Sequence, residues 1–391
     1  MPTSKRLATI PPFVFTALDA QRKALEAAGQ DVINLSVGDP DMGAPQFVVD
    51  ALTSAAADPA NHHYNYGRGR PELLEAAAEF MQRRFGVTVD PATHIQILVG
   101  SKEGLAHLPL GVSDPGDRML FPDPCYPVYR NAALYTGMVP APVALRESNG
   151  WMMDFDAIDP TGASLLLVNH PGNPTAATAP VEFFDRAARF ATSNNLTLVS
   201  DQAYSEIYFD EADRPPSLWQ AESADINATP AVEFHSLSKT FCMTGWRIAF
   251  AVGHPDVISA LARVKATHDS GVFAPIQLAG AEALRRFDDP AVAEYRRIYE
   301  SRRDTLVPAL NELGLVTPSP KAGFFAWGKV PANMTSAEFA TRCLDEARVV
   351  LVPGSAFGDP GEGYFRVALT VGEDRLREAA ERLAKIAVAT A

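Results

Sequence analysis

Lys239 stands in the run Phe234-His235-Ser236-Leu237-Ser238-Lys239-Thr240, directly after the apolar stretch Ala231 to Phe234. A lysine is ordinarily a solvated surface charge. Three neighbours change the expectation here. The apolar stretch reads as a buried strand, so the lysine sits at its end. Ser236, Ser238 and Thr240 offer small hydroxyls that suit an anion. Arg247 follows eight positions on, ahead of a second apolar run, Ile248-Ala249-Phe250-Ala251-Val252. A lysine held at the end of a buried strand can lose its proton and attack a carbonyl. The chemistry this points to is a Schiff base with an aldehyde.

Other residues at the ends of apolar runs carry two readings each. Asp201 closes the run Leu196-Thr197-Leu198-Val199-Ser200. It could cap a helix, or hold a proton at the sheet edge where open α/β folds bind ligands. Arg366 lies in Tyr364-Phe365-Arg366-Val367-Ala368-Leu369, where strand alternation turns it away from Phe365 and Val367. It could be solvated, or it could serve as a fork-shaped cation for a carboxylate. Val99-Gly100-Ser101-Lys102-Glu103-Gly104 reads as strand, glycine turn and helix start. Free amides there would meet a phosphate, although many loops contain a Gly-Ser turn.

The pattern Ser236-Leu237-Ser238-Lys239 followed by Thr244-Gly245-Trp246-Arg247 resembles the cofactor-lysine motif of class I pyridoxal-phosphate aminotransferases, of fold type I. The likeness extends from about Asn34 to Arg366. It implies that Lys239 binds the aldehyde of pyridoxal 5′-phosphate and, once displaced by substrate, moves the α-proton. That role needs a neutral amine and a lowered pKa. Asp201 would hold the proton of the ring nitrogen. The family's Asp-x-x-Tyr appears as Asp201-Gln202-Ala203-Tyr204, so Tyr204 would meet the cofactor's 3′ oxygen, together with Asn173. Tyr126, in Asp123-Pro124-Cys125-Tyr126-Pro127, matches the stacking aromatic; a satisfied interior tyrosine is its bland alternative. Gly100, Ser101, Lys102, Ser236 and Arg247 would form the phosphate cup. Tyr64 matches a tyrosine that reaches the phosphate of a neighbouring subunit, which implies a homodimer with shared sites. Arg366, Gly38 and Asn173 would hold the substrate's α-carboxylate. The turn Asn169-His170-Pro171-Gly172-Asn173-Pro174-Thr175 departs from the family pattern: His170 shifts its opening, and Ala176 replaces a glycine that normally allows a tight turn.

The resemblance implies a two-half, ping-pong transamination between an L-amino acid and a 2-oxo acid such as 2-oxoglutarate. Within the family the chain is most similar to the LL-diaminopimelate aminotransferase-like branch. The segments carrying this are Gly100 to His107, Asp269-Ser270-Gly271-Val272-Phe273 and Ala203-Tyr204-Ser205-Glu206-Ile207. These fragments also occur in relatives acting on alanine, aspartate, glutamate or other amino acids, so those substrates stay open. A lyase of the same fold, cleaving C–S bonds, would keep every cofactor contact. A regulator built on this fold would carry a basic DNA-binding module, and no basic helix-turn-helix precedes it. No GxGxxG follows a strand, which disfavours a plain nucleotide-binding domain.

The elements that must position these residues follow from periodicity. Phe13 to Ala28, Pro45 to Ala57 and Glu72 to Phe85 read as helices. Strand candidates are Ile95–Val99, Arg118–Phe121, Val139–Val143, Leu165–Asn169, Leu196–Asp201, Ala231–His235 and Ile248–Val252, with helices at Lys102–Leu110, Tyr126–Thr136 and Pro180–Asn194 between several of them. Short, continuously apolar strands separated by helices predict an α/β fold with a mostly parallel sheet of about seven strands, covered on both faces. From Ala291 the pattern becomes α+β. It offers a long helix, Val292 to Glu312, then Gly323–Trp327, a helix at Ser336–Ala347, strands near Val349–Val352 and Tyr364–Thr370, and a last helix from Glu373 to Ala387. The expected division is a large cofactor-binding domain over 45–290, and a smaller domain from 1–44 plus 291–391 that includes the N-terminal helix.

The 391 residues are enough for a large core, and 47% hydrophobic against 21% charged fits a globular chain. A net charge of −13 with no basic block disfavours nucleic acid and anionic membrane as partners. Cys125, Cys242 and Cys343 are far apart and form no CxxC, so reduced thiols are expected, with no catalytic role. Met1 to Pro12 lacks an apolar signal core, and no run approaches the ~20 apolar residues of a membrane span. A cytoplasmic enzyme is the expectation. No metal-ligand pattern appears.

Overall fold

The structure, a computed structural model, describes residues 4–10 and 15–387. The helix expected from Phe13 runs from Phe15 to Ala27; residues 13 and 14 lie outside the described residues.

A seven-stranded sheet forms the frame. From one edge to the other its strands are Ile95–Leu98, Ala249–Gly253, Ala231–Ser236, Thr197–Asp201, Ala163–Asn169, Arg118–Asp123 and Val139–Ala144. All pairings are parallel except those of Ala249–Gly253, which runs against both its neighbours. The mostly parallel expectation is met, with this one reversal inside it. The reversal matters for placement. The carboxyl ends of Ile95–Leu98, Thr197–Asp201 and Ala231–Ser236 lie on one edge, and the amino end of Ala249–Gly253 lies there too. Lys239, Asp201, Ser101 and Arg247 therefore share that edge.

Alternate side chains of each strand enter opposite cores, as strand geometry requires. Leu166, Val168 and Leu198 pack on one face with Phe80, Phe184 and Ala279. Leu165, Leu167 and Val199 pack on the other with Leu105, Tyr129 and Ile258. Burial on both faces explains why the strands read as unbroken apolar runs. Phe121, Phe184 and Phe234 are fully buried, and each stabilises the fold by roughly 1.5–3 kcal/mol.

Two helices in this region are not among the expected ones, Pro255–Ala266 and Ala274–Arg285. Both close faces of the sheet near the reversed strand.

The long helix Pro290–Glu312 leads to an antiparallel sheet ordered Val352–Pro353, Tyr364–Ala368, Phe325–Lys329. Ile33–Asn34 pairs in parallel with Val349–Val350, which ties the chain's early part to this region. Helices Ser336–Ala347 and Glu373–Ala387 match the expected bounds. Their apolar faces meet in a separate core with Leu306, Leu310, Phe339 and Leu376. Among the described residues no helix is long and apolar enough to cross a membrane, and no group of acidic, His and Cys residues could hold a metal ion.

Candidate active site

A cavity of about 330 Å³ opens at the shared sheet edge, where the segment Ser36–Gly38 and the strand Tyr364–Ala368 close over it. Lys239, Asp201, Tyr204, Asn173 and Arg366 line it, as do Tyr126, Gly38, Ser101, Lys102, Ser236 and Arg247. Residues from across the sequence are thus brought together.

Lys239 lies in the four-residue helix Leu237–Thr240, whose cap is Ser236; the Ser236 hydroxyl accepts from the Ser238 amide at 3.2 Å. Nζ donates to the Gly38 carbonyl at 2.7 Å. Burial holds its pKa down to about 8, against a raising pull from Asp39; Arg247 and Arg366 lower it further. Gly38 is held by close packing, since a Cβ there would lie 2.5 Å from Cζ of Phe325.

Asp201 ends its strand, buried. Its Oδ2 accepts from the Tyr129 hydroxyl at 2.7 Å, and its Oδ1 from the Ala203 amide at 3.3 Å. Burial pushes the carboxyl up to about 6, against the lowering effects of Tyr129, the Ala203 amide and His235. Asn169 steadies the same strand end: its Nδ2 donates to the Asp201 carbonyl at 2.8 Å, and its Oδ1 accepts from the Asn173 amide at 2.9 Å.

Arg366 is only 3% exposed, which settles the choice between a wet strand face and an interior cation. Nη1 donates to Asn173 Oδ1 at 2.7 Å and Nη2 to the Ser36 carbonyl at 2.6 Å. The guanidinium lies over Phe325, 4.1 Å from the ring centre, and over Phe357 at 4.7 Å. Burial lowers its pKa to about 10, well above neutrality, so it stays charged. Tyr204 packs edge-on against Phe324 and Phe325. Burial raises its phenol far above the usual range.

The other end of the cavity is built for an anion. Gly100 caps the helix Ser101–Val112 with φ 78°. A Cβ at Gly100 would stand 2.2 Å from Nη2 of Arg247, so bare backbone lets the guanidinium reach the helix start. Arg247 itself is left-handed, at φ 56°, a conformation that costs a non-glycine residue on the order of 1 kcal/mol. Lys102 adds a cation whose pKa burial lowers, and its Nζ lies 5.9 Å from the Tyr126 ring centre. Amides at a helix start, hydroxyls and a guanidinium form a phosphate donor set. With Asp201 to hold a ring-nitrogen proton and Lys239 to take an aldehyde, the residues fit pyridoxal phosphate.

Tyr64 is the exception. It is 73% exposed, pairs with Tyr66 and lies outside this chain's cavity. The loop with Ala176 keeps the geometry a glycine would give: Ala176 is buried at φ 56°, and its amide donates to the Gly172 carbonyl at 2.9 Å. The three thiols are free and buried, and burial raises each above its usual range, so none is poised as a nucleophile.

Sequence reasoning passed over Tyr129, Asn169, Ser36 and Phe325. Tyr129 carried a faint signal, lying one helical turn beyond Tyr126. Asn169 opened the quoted turn. Nothing local marked Phe325 or the Ser36 carbonyl, which act through the fold.

The model of the family described as aminotransferase class I and II matches residues 30–383. A protein named LL-diaminopimelate aminotransferase from Nitratidesulfovibrio vulgaris (strain DP4) is 45% identical over 385 residues, covering 97% of this chain and 98% of its own length. One of the same name from Aquifex aeolicus (strain VF5) is 44% identical over 384 residues, again covering 97% and 98%. Among solved structures, an aminotransferase from Staphylococcus aureus aligns with TM-score 0.90 and 32% identity over 99% of both chains. A double mutant of Thermus thermophilus aspartate aminotransferase aligns with TM-score 0.91 and 30% identity, covering 99% of this chain and all of its own.

Proposed function

Because the chain belongs to the class I and II aminotransferase family and is a pyridoxal-phosphate-dependent transaminase, we propose that it moves the α-amino group of LL-diaminopimelate to a 2-oxo acid, with 2-oxoglutarate as acceptor. Relatives of that name, at up to 45% identity over nearly the whole chain, support the donor. The observation that carries the site reading is the convergence of Lys239, Asp201 and a buried Arg366 on one cavity.

Pyridoxal phosphate, when bound, supplies a carbonyl that captures amines and a ring that accepts electrons from the α-carbon. The chain's residues do the rest. Ser101, Ser236, Lys102, Arg247 and the amides after Gly100 would hold the phosphate. Asp201 would keep the proton on the ring nitrogen, and the Tyr129 hydroxyl at 2.7 Å favours its ionised form. Tyr126 would cover the ring, while Tyr204 and Asn173 meet the 3′ oxygen. Arg366 and Gly38 would bind the α-carboxylate, which fixes the α-carbon near Lys239. Its lowered pKa gives Lys239 a neutral fraction near pH 7, so the amine can take the α-proton and return it on the cofactor side.

The same reading takes the protein as a homodimer. The exposed Tyr64, off its own cavity, would reach the phosphate of the partner's site. Residues 45–290 would form the cofactor-binding unit, and 1–44 with 291–391 the smaller one. Buried, unpaired thiols fit a cytoplasmic setting.

The test is a screen of purified enzyme, loaded with pyridoxal phosphate, against LL-diaminopimelate, alanine, aspartate and other amino acids, with 2-oxoglutarate and pyruvate as acceptors. Glutamate formation from LL-diaminopimelate, at a kcat/KM above those of alanine and aspartate, is expected. Turnover of other donors with none of diaminopimelate would overturn the substrate; ammonia release without any acceptor would point to a lyase.

A further inference from the structure

Lys265 is a buried lysine that the site above does not use. It lies near the end of the helix Pro255–Ala266 and is 4% exposed. A buried ammonium is costly unless it is fully partnered. Here it bridges two carboxylates, with Nζ 3.2 Å from Glu103 Oε2, 2.9 Å from Asp269 Oδ1 and 2.7 Å from Asp269 Oδ2.

Both carboxylates hold backbone elsewhere. Glu103, in the first turn of the helix Ser101–Val112, reaches back so that Oε2 accepts from the Val99 amide at 2.9 Å. Its Oε1 meets His107 Nδ1 at 2.6 Å. Glu103 therefore grips the residue before Gly100 and fixes the turn that presents the phosphate-facing amides. Asp269 accepts from the Gly271 amide at 2.8 Å. Gly271, at φ 92°, presses on the Asn65 carbonyl, where a Cβ would stand 2.4 Å away.

We propose that Lys265 is a positioning residue for cofactor binding, holding the Val99–Ser101 turn in its phosphate-binding shape by tying Glu103 to the Asp269–Gly271 loop. The proposal rests on pyridoxal phosphate occupying the cavity described above. Lys265 touches no cavity atom and acts through Glu103. Without its charge, Glu103 and Asp269 would face each other across the vacated space. Glu103 would turn toward solvent and release the Val99 amide, and the turn would loosen.

The experiment compares two aldehydes on the full-length apo protein, pyridoxal 5′-phosphate and pyridoxal, which lacks the phosphate. Dissociation constants are read by quenching of protein fluorescence. Lys265→Met is expected to weaken pyridoxal phosphate by about tenfold while leaving pyridoxal within about twofold of the parent. Lys265→Arg, which keeps the charge, is expected to recover most of the loss. A merely structural role would weaken both aldehydes alike, and that result overturns the proposal, as does an unchanged affinity for the phosphate form. Should Lys265→Met not fold, Glu103→Gln carries the same comparison, because a neutral amide oxygen holds the Lys265 ammonium and the Val99 amide more weakly than the charged Oε2 that both meet. If the parent binds neither aldehyde, the cofactor reading falls and takes this proposal with it. If the parent binds pyridoxal phosphate and the variants match it, only this proposal falls.

Discussion

In the role proposed for it, Lys239 must be buried enough to lose its proton and accessible enough to strike a carbonyl. Its pKa of about 8 sets the consequence. The protonated form dominates below that value and cannot attack; the neutral form grows as pH rises. Capture of pyridoxal phosphate by the apo protein should therefore speed up with pH and level off above about 8, followed by growth of visible absorbance. A rate independent of pH between 6.5 and 9 would contradict the assignment. Lys239→Ala should fold, show no such absorbance and lose turnover by at least about a hundredfold. Tyr129 gives a quieter test. Tyr129→Phe removes the hydroxyl that favours ionised Asp201, and kcat should fall by roughly tenfold, the worth of one hydrogen bond to a charged group. Undiminished turnover would remove Tyr129 from the machinery. At this scale the sequence was readable where a residue lies at or just past a strand end on the cavity, as Asp201 and Lys239 do. It was silent where a residue serves another residue: Tyr129 looks like any interior tyrosine until the fold sets it beside Asp201.

The elements explain two further cases. Gly100 begins a helix at φ 78° with a guanidinium against its α-carbon. Gly100→Ala must strain the backbone, by roughly 1–3 kcal/mol, and displace Arg247. Affinity for pyridoxal phosphate should drop together with thermal stability, and calorimetry with a binding titration would show both. Ala176 runs the opposite way. It already holds a glycine's conformation, so Ala176→Gly trades relief of left-handed strain against chain entropy, a net change within about 1 kcal/mol. Its Tm should stay level or rise slightly with activity kept; a clear loss would mean the methyl packs more tightly than its strain costs. Most helices and all seven strands were legible from periodicity. Ala274–Arg285 was not, because it is buried nearly all round, with Ala279, Gly280, Ala281 and Ala283 inside, and shows no polar face to set its period. Pro255–Ala266 did carry a mark, a proline at its first turn and Val257, Ile258 and Leu261 on one side. The reversed direction of Ala249–Gly253 left no trace, since a strand buried on both faces reads the same either way.

For the whole molecule the question is whether two copies share a site, as proposed above. Tyr64, at 73% exposure, is idle within its own chain. If it completes the partner's site, Tyr64→Ala in one subunit and Lys239→Ala in the other fall in the same site of a mixed dimer and leave its second site intact. Each variant alone should be weak. Mixed and re-equilibrated in equal parts, they should regain roughly a quarter of intact sites, because half the dimers are hybrids with one undamaged site each. Mixtures no better than the sum of the two variants would place Tyr64 outside the chemistry. The expectation of sharing came only from family likeness, since one chain's sequence holds no record of which surface would meet a second copy. The lone reversed strand has a last consequence. Because the chain doubles back between Lys239 and Arg247, that short return would, on their proposed roles, work as a calliper whose span sets the gap between two grips on one rigid molecule. Surface loops usually absorb added residues at small cost. An insertion here would mis-set the gauge, and a lengthened protein could fold soundly yet never clasp both ends of its vitamin.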